Sequence, residues 1–198
     1  METINFLITG VGGQGTVLAG DIMAATGLAA GYDVKKSDIM GLAVRGGAVV
    51  GHVRWGERVY SPIVPDGRVD YLLGFEILEG LRWLNHLRPG GTLLLNQQEI
   101  RPVTVTAGFA KYPSKEEVDE VLAKVEGTVY RVPGLAIARE LGNARVLNVV
   151  LLGALSVLLP VQPEVWESIL RERIRPKYLD LNLKAFRQGR DWMLAQRR

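Results

Sequence analysis

Gly10, Gly12 and Gly15 stand in the run T-G-V-G-G-Q-G-T at residues 9–16, directly after the apolar stretch Ile4–Ile8. Their spacing satisfies G-x-G-x-x-G between a strand pattern and a helix pattern, the context in which that spacing has a mechanical meaning. Glycine reaches positive φ, and its missing Cβ lets a phosphate or a second backbone come close. A helix opening at about Thr16 adds unpaired N–H groups and a partial positive charge, so the chemistry on offer is the holding of an anion. Gly10, Gly12, Gly13, Gln14, Gly15 and Thr16 are therefore the first candidate contacts. A tight strand-to-helix turn that touches no ligand would use the same residues, and the sequence admits both readings.

A second candidate is the loop M-G-L-A-V-R-G-G at 40–47. Arg45, set beside Gly46 and Gly47, can present a planar fork to a carboxylate or phosphate while the backbone stays close. An exposed loop arginine is the plainer alternative. Position favours the first reading: the loop follows the second strand, so it belongs on the same sheet edge as the glycine turn, where open α/β sheets bind ligands. A dinucleotide enzyme would also place an acid about 20 residues past the glycines to hold ribose hydroxyls. Asp38 is better placed for that than Asp33. Glu76 and Asn96 fall at strand ends on that edge, where each could orient a ligand or cap the next element. Asn148, in an otherwise apolar helix, is expected to hydrogen-bond a backbone group in the core or at an interface. No nucleophile–base pair and no G-x-x-x-x-G-K-[ST] loop is present.

Alternating signals position these residues. Ile4–Ile8 is a strand, Thr16–Ala30 a helix stopped by Gly31, Tyr32–Ser37 a strand, and Ala48–Trp55 a strand expected to form a hairpin with Arg58–Ser61. Val69–Phe75 and Thr92–Leu95 read as buried strands around a helix at Glu76–Leu87. Ser114 and Glu117 form a capping box for a helix through about Val125, and Thr128–Val132 is a short strand. Helices at Leu135–Leu141, Ala144–Leu159, Pro163–Arg173 and Pro176–Gln196 complete the chain. The pattern predicts an α/β fold: a mainly parallel, Rossmann-like sheet with helices on both faces, an antiparallel hairpin near 48–61 and a helical C-terminal extension. With no repeat or linker, residues 1–198 read as one domain.

Composition narrows the function classes. Apolar residues make up 47% of the chain and charged residues 23%, an ordinary globular balance. No apolar run is long enough to span a bilayer, and Val149–Leu159 reads as a buried helix ended by Pro160. A strand begins within a few residues of Met1 with no basic-then-apolar leader, so no export signal and a cytoplasmic location are expected. The chain has no cysteine, which excludes disulfides, thiolate catalysis and a cysteine-ligated iron–sulfur cluster on it. His52 and His86 lack ligand-like spacing, so no metal site is expected. The net charge is +3. Its excess lies beyond Glu164, where basic residues are interleaved with acids and apolar residues, the pattern of solvated helices and not of a nucleic-acid surface.

G-V-G-G-Q-G-T at 10–16, M-G-L-A-V-R-G-G-A-V-V at 40–50 and H-V-R-W-G at 52–56 together resemble the smaller subunit of 2-oxoacid:ferredoxin oxidoreductases. V-Y-S-P at 59–62, F-E-I-L-E at 75–79, R-P-G-G-T at 88–92 and N-V-V-L-L-G-A-L at 148–155 extend the resemblance over nearly the whole chain. Pro176-Lys177 with L-N-L-K-A-F at 181–186 is most similar to the beta subunit of indolepyruvate enzymes, and less to the gamma subunit of pyruvate, 2-oxoisovalerate or 2-oxoglutarate enzymes. The resemblance implies a complex that decarboxylates an arylpyruvate on thiamine diphosphate, passes electrons through [4Fe–4S] clusters to ferredoxin and releases an acyl-coenzyme A. Thiamine diphosphate and the clusters would belong to a larger partner subunit. This chain would complete the active-site region with Gly12, Gly13, Gln14, Gly15 and Arg45 as contacts and with no catalytic acid, base or nucleophile. A homo-oligomer of the isolated chain stays open. The competing readings are a self-sufficient NAD(P)-linked dehydrogenase, resting on the glycine motif and Asp38, and a purely structural assembly module.

Overall fold

The computed structural model describes residues 2–41 and 46–197. Its strands are β1 (Ile4–Val11), β2 (Asp33–Met40), β3 (Ala48–Gly56), β4 (Val69–Gly74), β5 (Leu87–Asn96) and β6 (Thr128–Val132). Its α-helices are α1 (Thr16–Ala29), α2 (Ile77–Arg82), α3 (Val103–Thr106), α4 (Lys115–Ala123), α5 (Gly134–Glu140), α6 (Leu147–Ser156), α7 (Pro163–Arg173) and α8 (Pro176–Gln196). Short 3-10 turns lie at Leu84–His86 and Ala144–Val146.

The strands form one sheet in the order β2-β3-β1-β4-β5-β6. β1, β4, β5 and β6 pair in parallel. β3 runs antiparallel to both β1 and β2, so β2 points the same way as β1 with β3 between them. The expected antiparallel element at residue 48 is therefore present, but its expected partner is wrong. Arg58–Ser61 forms no strand. Arg54 fixes that segment instead, donating to the carbonyls of Ser61 (3.1 Å) and Ile63 (3.3 Å). Val59 N–H goes to Asp33 Oδ2 at 2.7 Å.

Side-chain alternation along the strands separates two cores. Phe6 and Ile8 of β1, Leu73 of β4 and Leu94 of β5 face α1, α6, α7 and α8. Leu7, Leu72, Leu93 and Leu95 face the other way, toward Val118 and Leu122 of α4 and the half-buried Ile77 and Leu81 of α2. Helices thus cover both faces, and the buried strands read as continuous apolar runs for that reason.

Aromatic rings fill the larger core. Trp55 lies with its ring centroid 4.8 Å from Phe6 and 6.1 Å from Trp166, which in turn lies 6.1 Å from Phe186. Gly27 makes room: a Cβ there would lie 2.5 Å from the Trp55 indole nitrogen. α6 and α8 meet backbone to backbone. A Cβ at Gly153 would sit 2.0 Å from the carbonyl oxygen of Phe186, and one at Gly189 would sit 2.0 Å from that of Val150. All ten residues of α6 are buried, as its predominantly apolar sequence requires, with Asn148 and Ser156 buried among them.

Candidate functional site

The glycine turn crosses the carboxyl end of β1. Gly10 is buried, and a Cβ there would come within 2.9 Å of Thr16 Cγ2, Gln14 Oε1 and Phe75 Cβ. Gly13 has φ 108° and opens onto free space. Gly15 caps α1 with φ 79° and no side-chain hydrogen bond. The left-handed region disfavours side chains at both positions. The first-turn N–H groups of α1 have no intrahelical partners.

Gln14 turns inward. Its Oε1 accepts the N–H of Val11 at 2.8 Å, while its Nε2 donates to the carbonyl of Phe75 (2.8 Å) and to Gln98 Oε1 (3.0 Å). The Gln14 side chain therefore braces the turn against the end of β4 and the segment after β5. Its amide is already fully engaged.

The two glycine segments are joined. Gly12 N–H donates to the carbonyl of Gly47 at 2.8 Å, and Gly46 N–H donates to the carbonyl of Gly12 at 3.2 Å. Gly46 has φ 77°, which a non-glycine residue would adopt only with strain. The expectation that both loops share one sheet edge is met. Arg45 lies outside the described residues. Gly12, Gly13, Gly15, Thr16, Leu18 and Met40 are among the residues lining an open groove of about 450 Å³ beside the turn. Met40, 61% exposed, and Leu18 give the groove apolar surface, and Asp21 lines it as well.

Strand-end residues serve the same edge from within. Asn96 is fully buried, donates to the Phe75 carbonyl at 2.8 Å and accepts from Leu135 N–H at 3.2 Å. Glu76 caps α2 through Glu79 N–H at 2.8 Å and also accepts Ile100 N–H at 3.0 Å and the Tyr112 hydroxyl. Burial, with the Glu76 hydrogen bond second, raises the Tyr112 phenol. Gln98 and Tyr112 were missed in sequence, since neither has a motif and both act from the long segment after β5. Asn148 reaches back from α6 to the Gly15 carbonyl at 3.4 Å, the core hydrogen bond expected of it.

The geometry counts against the dinucleotide reading. A parallel second strand would sit beside β1, but antiparallel β3 occupies that place. Asp38 is paired with Lys36, which also meets Asp21 at 3.0 Å. Burial lowers Lys36, but its bonds to Asp38 and Asp21 outweigh this and raise it. Asp38 is thus bound to a half-buried cation and not offered to a ribose. Among the described residues no cluster of His, Cys, Asp or Glu could hold a metal ion, and no helix is long and apolar enough to cross a membrane.

The family described as Pyruvate ferredoxin/flavodoxin oxidoreductase matches residues 5–192. The chain belongs to this family. Within it, the chain is 38% identical to the indolepyruvate oxidoreductase subunit IorB of Pyrococcus horikoshii, covering 96% of this chain and 95% of that one. It is equally similar to IorB of Thermococcus kodakarensis, 38% over the same shares. Among solved structures, the gamma subunit of the keto/oxoacid ferredoxin oxidoreductase from Geobacter sulfurreducens superimposes with a TM-score of 0.72 at 26% identity, covering 97% of this chain and 99% of that chain. The family assignment and the sheet order agree on a mostly parallel oxidoreductase-subunit fold with a C-terminal helical segment.

Proposed function

We propose that this chain is the small subunit of an indolepyruvate:ferredoxin oxidoreductase and that its glycine edge completes the active-site region of a larger subunit. The observation that carries this reading is the end-to-end match to two indolepyruvate oxidoreductase subunits, each covered over 95% of its length. Gly13 and Gly15, in a turn that Gly12 ties to Gly46 and Gly47, would offer backbone N–H groups and close approach to an anionic group brought by the partner. Arg45 would add a guanidinium at the same edge.

Thiamine diphosphate would supply the decarboxylation chemistry in such a complex, with [4Fe–4S] clusters, ferredoxin and coenzyme A as the further participants. The cysteine-free sequence offers no thiolate to a cluster, so the larger subunit would hold the clusters. This chain's share is steric and electrostatic. It seals one wall, excludes water and fixes the orientation of what the partner holds.

The test is a substrate panel on the co-expressed two-subunit complex, with coenzyme A and a dye or ferredoxin as acceptor. Indolepyruvate and other arylpyruvates should give the highest kcat/KM. A preference for pyruvate, 2-oxoisovalerate or 2-oxoglutarate would assign the chain to the corresponding gamma-type subunit instead.

A further inference from the structure

Behind the glycine turn lies a second pocket, of about 330 Å³, between the starts of α6 and α8. Three arginines line it: Arg145, Arg173 and Arg175. No aspartate or glutamate lines it. Arg173 approaches Glu172 at 3.7 Å. Arg145 and Arg175 meet no carboxylate among the described residues.

Backbone electrostatics act in the same sense. α8 is 21 residues long and starts beside Arg175 with no side-chain cap and no acid in its first turn. α6 starts beside Arg145, also with no acid in its first turn. Each helix start contributes partial positive charge. Arg145 and Arg175 line one pocket without a carboxylate partner, so they repel one another, and a multiply charged anion relieves that repulsion. Arginine's planar fork suits phosphate oxygens in pairs.

The remaining lining combines Leu18, Val146, Ile174, Tyr178 and Leu181 with the amides of Asn143, Asn148 and Asn182, which can hydrogen-bond a polar organic group. Val146 and Ile174 are buried in the floor, Leu181 is half-buried, and Tyr178 is 45% exposed at the mouth. The volume lies within the range of small-molecule sites. A charged rim over an apolar floor fits a phosphate ester with a flat organic group, and fits a bare anion or an extended acidic peptide less well. Leu18 lines both this pocket and the glycine groove, so the two are neighbours.

We propose that the pocket between the starts of α6 and α8 binds a nucleoside phosphate, with its phosphates on Arg145, Arg173 and Arg175 and its base over the Val146–Leu181 floor. This stands on the pocket alone and not on the assembly proposed above.

Isothermal titration of the full-length chain with ADP tests it, with pyrophosphate, adenosine and an oligoglutamate peptide as further probes. ADP should bind saturably and weaken several-fold as salt is raised from about 50 to 300 mM, because screening acts on partly exposed charges. Pyrophosphate should compete and adenosine should bind at least tenfold more weakly. The double replacement Arg145→Ala, Arg175→Ala should weaken ADP at least tenfold with an unchanged thermal midpoint. Should that variant fold poorly, Arg145→Gln and Arg175→Gln singly should each weaken ADP by a smaller factor. Displacement of ADP by coenzyme A would assign the pocket to the nucleotide end of a larger cofactor, and failure to displace it would assign a free nucleotide. Absence of saturable ADP binding at millimolar concentration, ADP binding indifferent to the arginine replacements, or tight binding of oligoglutamate alone would overturn the proposal.

Discussion

Asn148 stands against Gly15 so closely that a methyl group on the glycine would lie 2.7 Å from the asparagine Nδ2. The same amide reaches the Gly15 carbonyl at 3.4 Å. One buried polar residue on α6 thus sets the position of the turn that opens α1. Gly15→Ala would face both the left-handed φ and this contact, and should destabilise the chain by about 2–3 kcal/mol. Asn148→Ala removes the obstacle. The double variant should therefore be more stable than the sum of the single losses by roughly 0.5–1 kcal/mol. Chemical denaturation of the four proteins in the cycle measures this, and strict additivity would contradict the coupling.

The α6–α8 crossing predicts a sharper loss. Gly153→Ala would drive its Cβ to 2.0 Å from the Phe186 carbonyl oxygen, a backbone atom that cannot swing aside. Overpacking of this kind should cost about 3 kcal/mol. For a chain of this size that lowers the thermal midpoint by roughly 6–12 °C. Gly189→Ala should behave alike. By contrast Gly142→Ala has open space around it, and its cost should be confined to its positive φ. Calorimetry on the three variants makes the comparison.

His52 predicts an acid limb in stability. It is 3% exposed, and its Nδ1 accepts the Val64 N–H at 3.3 Å. Burial lowers its pKa, nearby His86 lowers it further, and Asp38 opposes them. The unfolded chain then binds the proton more readily than the folded one, so stability is present above about pH 6.5 and is lost as the pH falls through the folded value. His52→Gln keeps an acceptor without titrating. Its denaturation midpoint should change less than that of the native chain between about pH 7 and pH 5, and parallel curves would contradict the assignment.

Glu79 predicts the opposite slope. It is 3% exposed, and one carboxylate oxygen has no hydrogen bond. Burial raises its pKa; Arg82 lowers it and Glu76 raises it. Its cost is absent below the unfolded carboxylate value and grows as the pH rises through the folded one. Glu79→Gln should therefore match the native chain near pH 4 and gain on it toward pH 7, by about 1 kcal/mol. A constant difference across that range would place the cause elsewhere.

Much of this architecture could be read from residue order. Pro163–Arg173 and Pro176–Gln196 keep their expected bounds because proline fixes a helix start by its own geometry. The Ser114–Glu117 capping box was readable for the same local reason. What local signals could not show was pairing across the sheet. Ala48–Gly56 has the alternation of a strand, but nothing in it says that it will slip between β1 and β2 in place of pairing with Arg58–Ser61. The helix expected at Glu76–Leu87 ends at Arg82, and the strand expected at Thr92–Leu95 starts earlier, at Leu87, with Gly90 N–H bonded to the Glu126 carbonyl at 2.6 Å.

The candidate site divides along the same line. The glycines were legible because positive φ and close approach demand glycine wherever they occur. Gln14 was chosen for its place in the motif, yet its direction depends on Phe75 and Gln98, which are 61 and 84 residues away in sequence. The arginine pocket gathers residues from three separate segments, so no window of sequence displays it.

The most direct test is to titrate the purified larger subunit with this chain while following arylpyruvate- and coenzyme A-dependent ferredoxin reduction. The rate should rise from near zero to a plateau at a fixed subunit ratio, and a Gly13→Glu chain should form the complex but reach a much lower plateau. Full activity of the larger subunit by itself, or turnover by this chain alone with NADH or NADPH, would contradict the account.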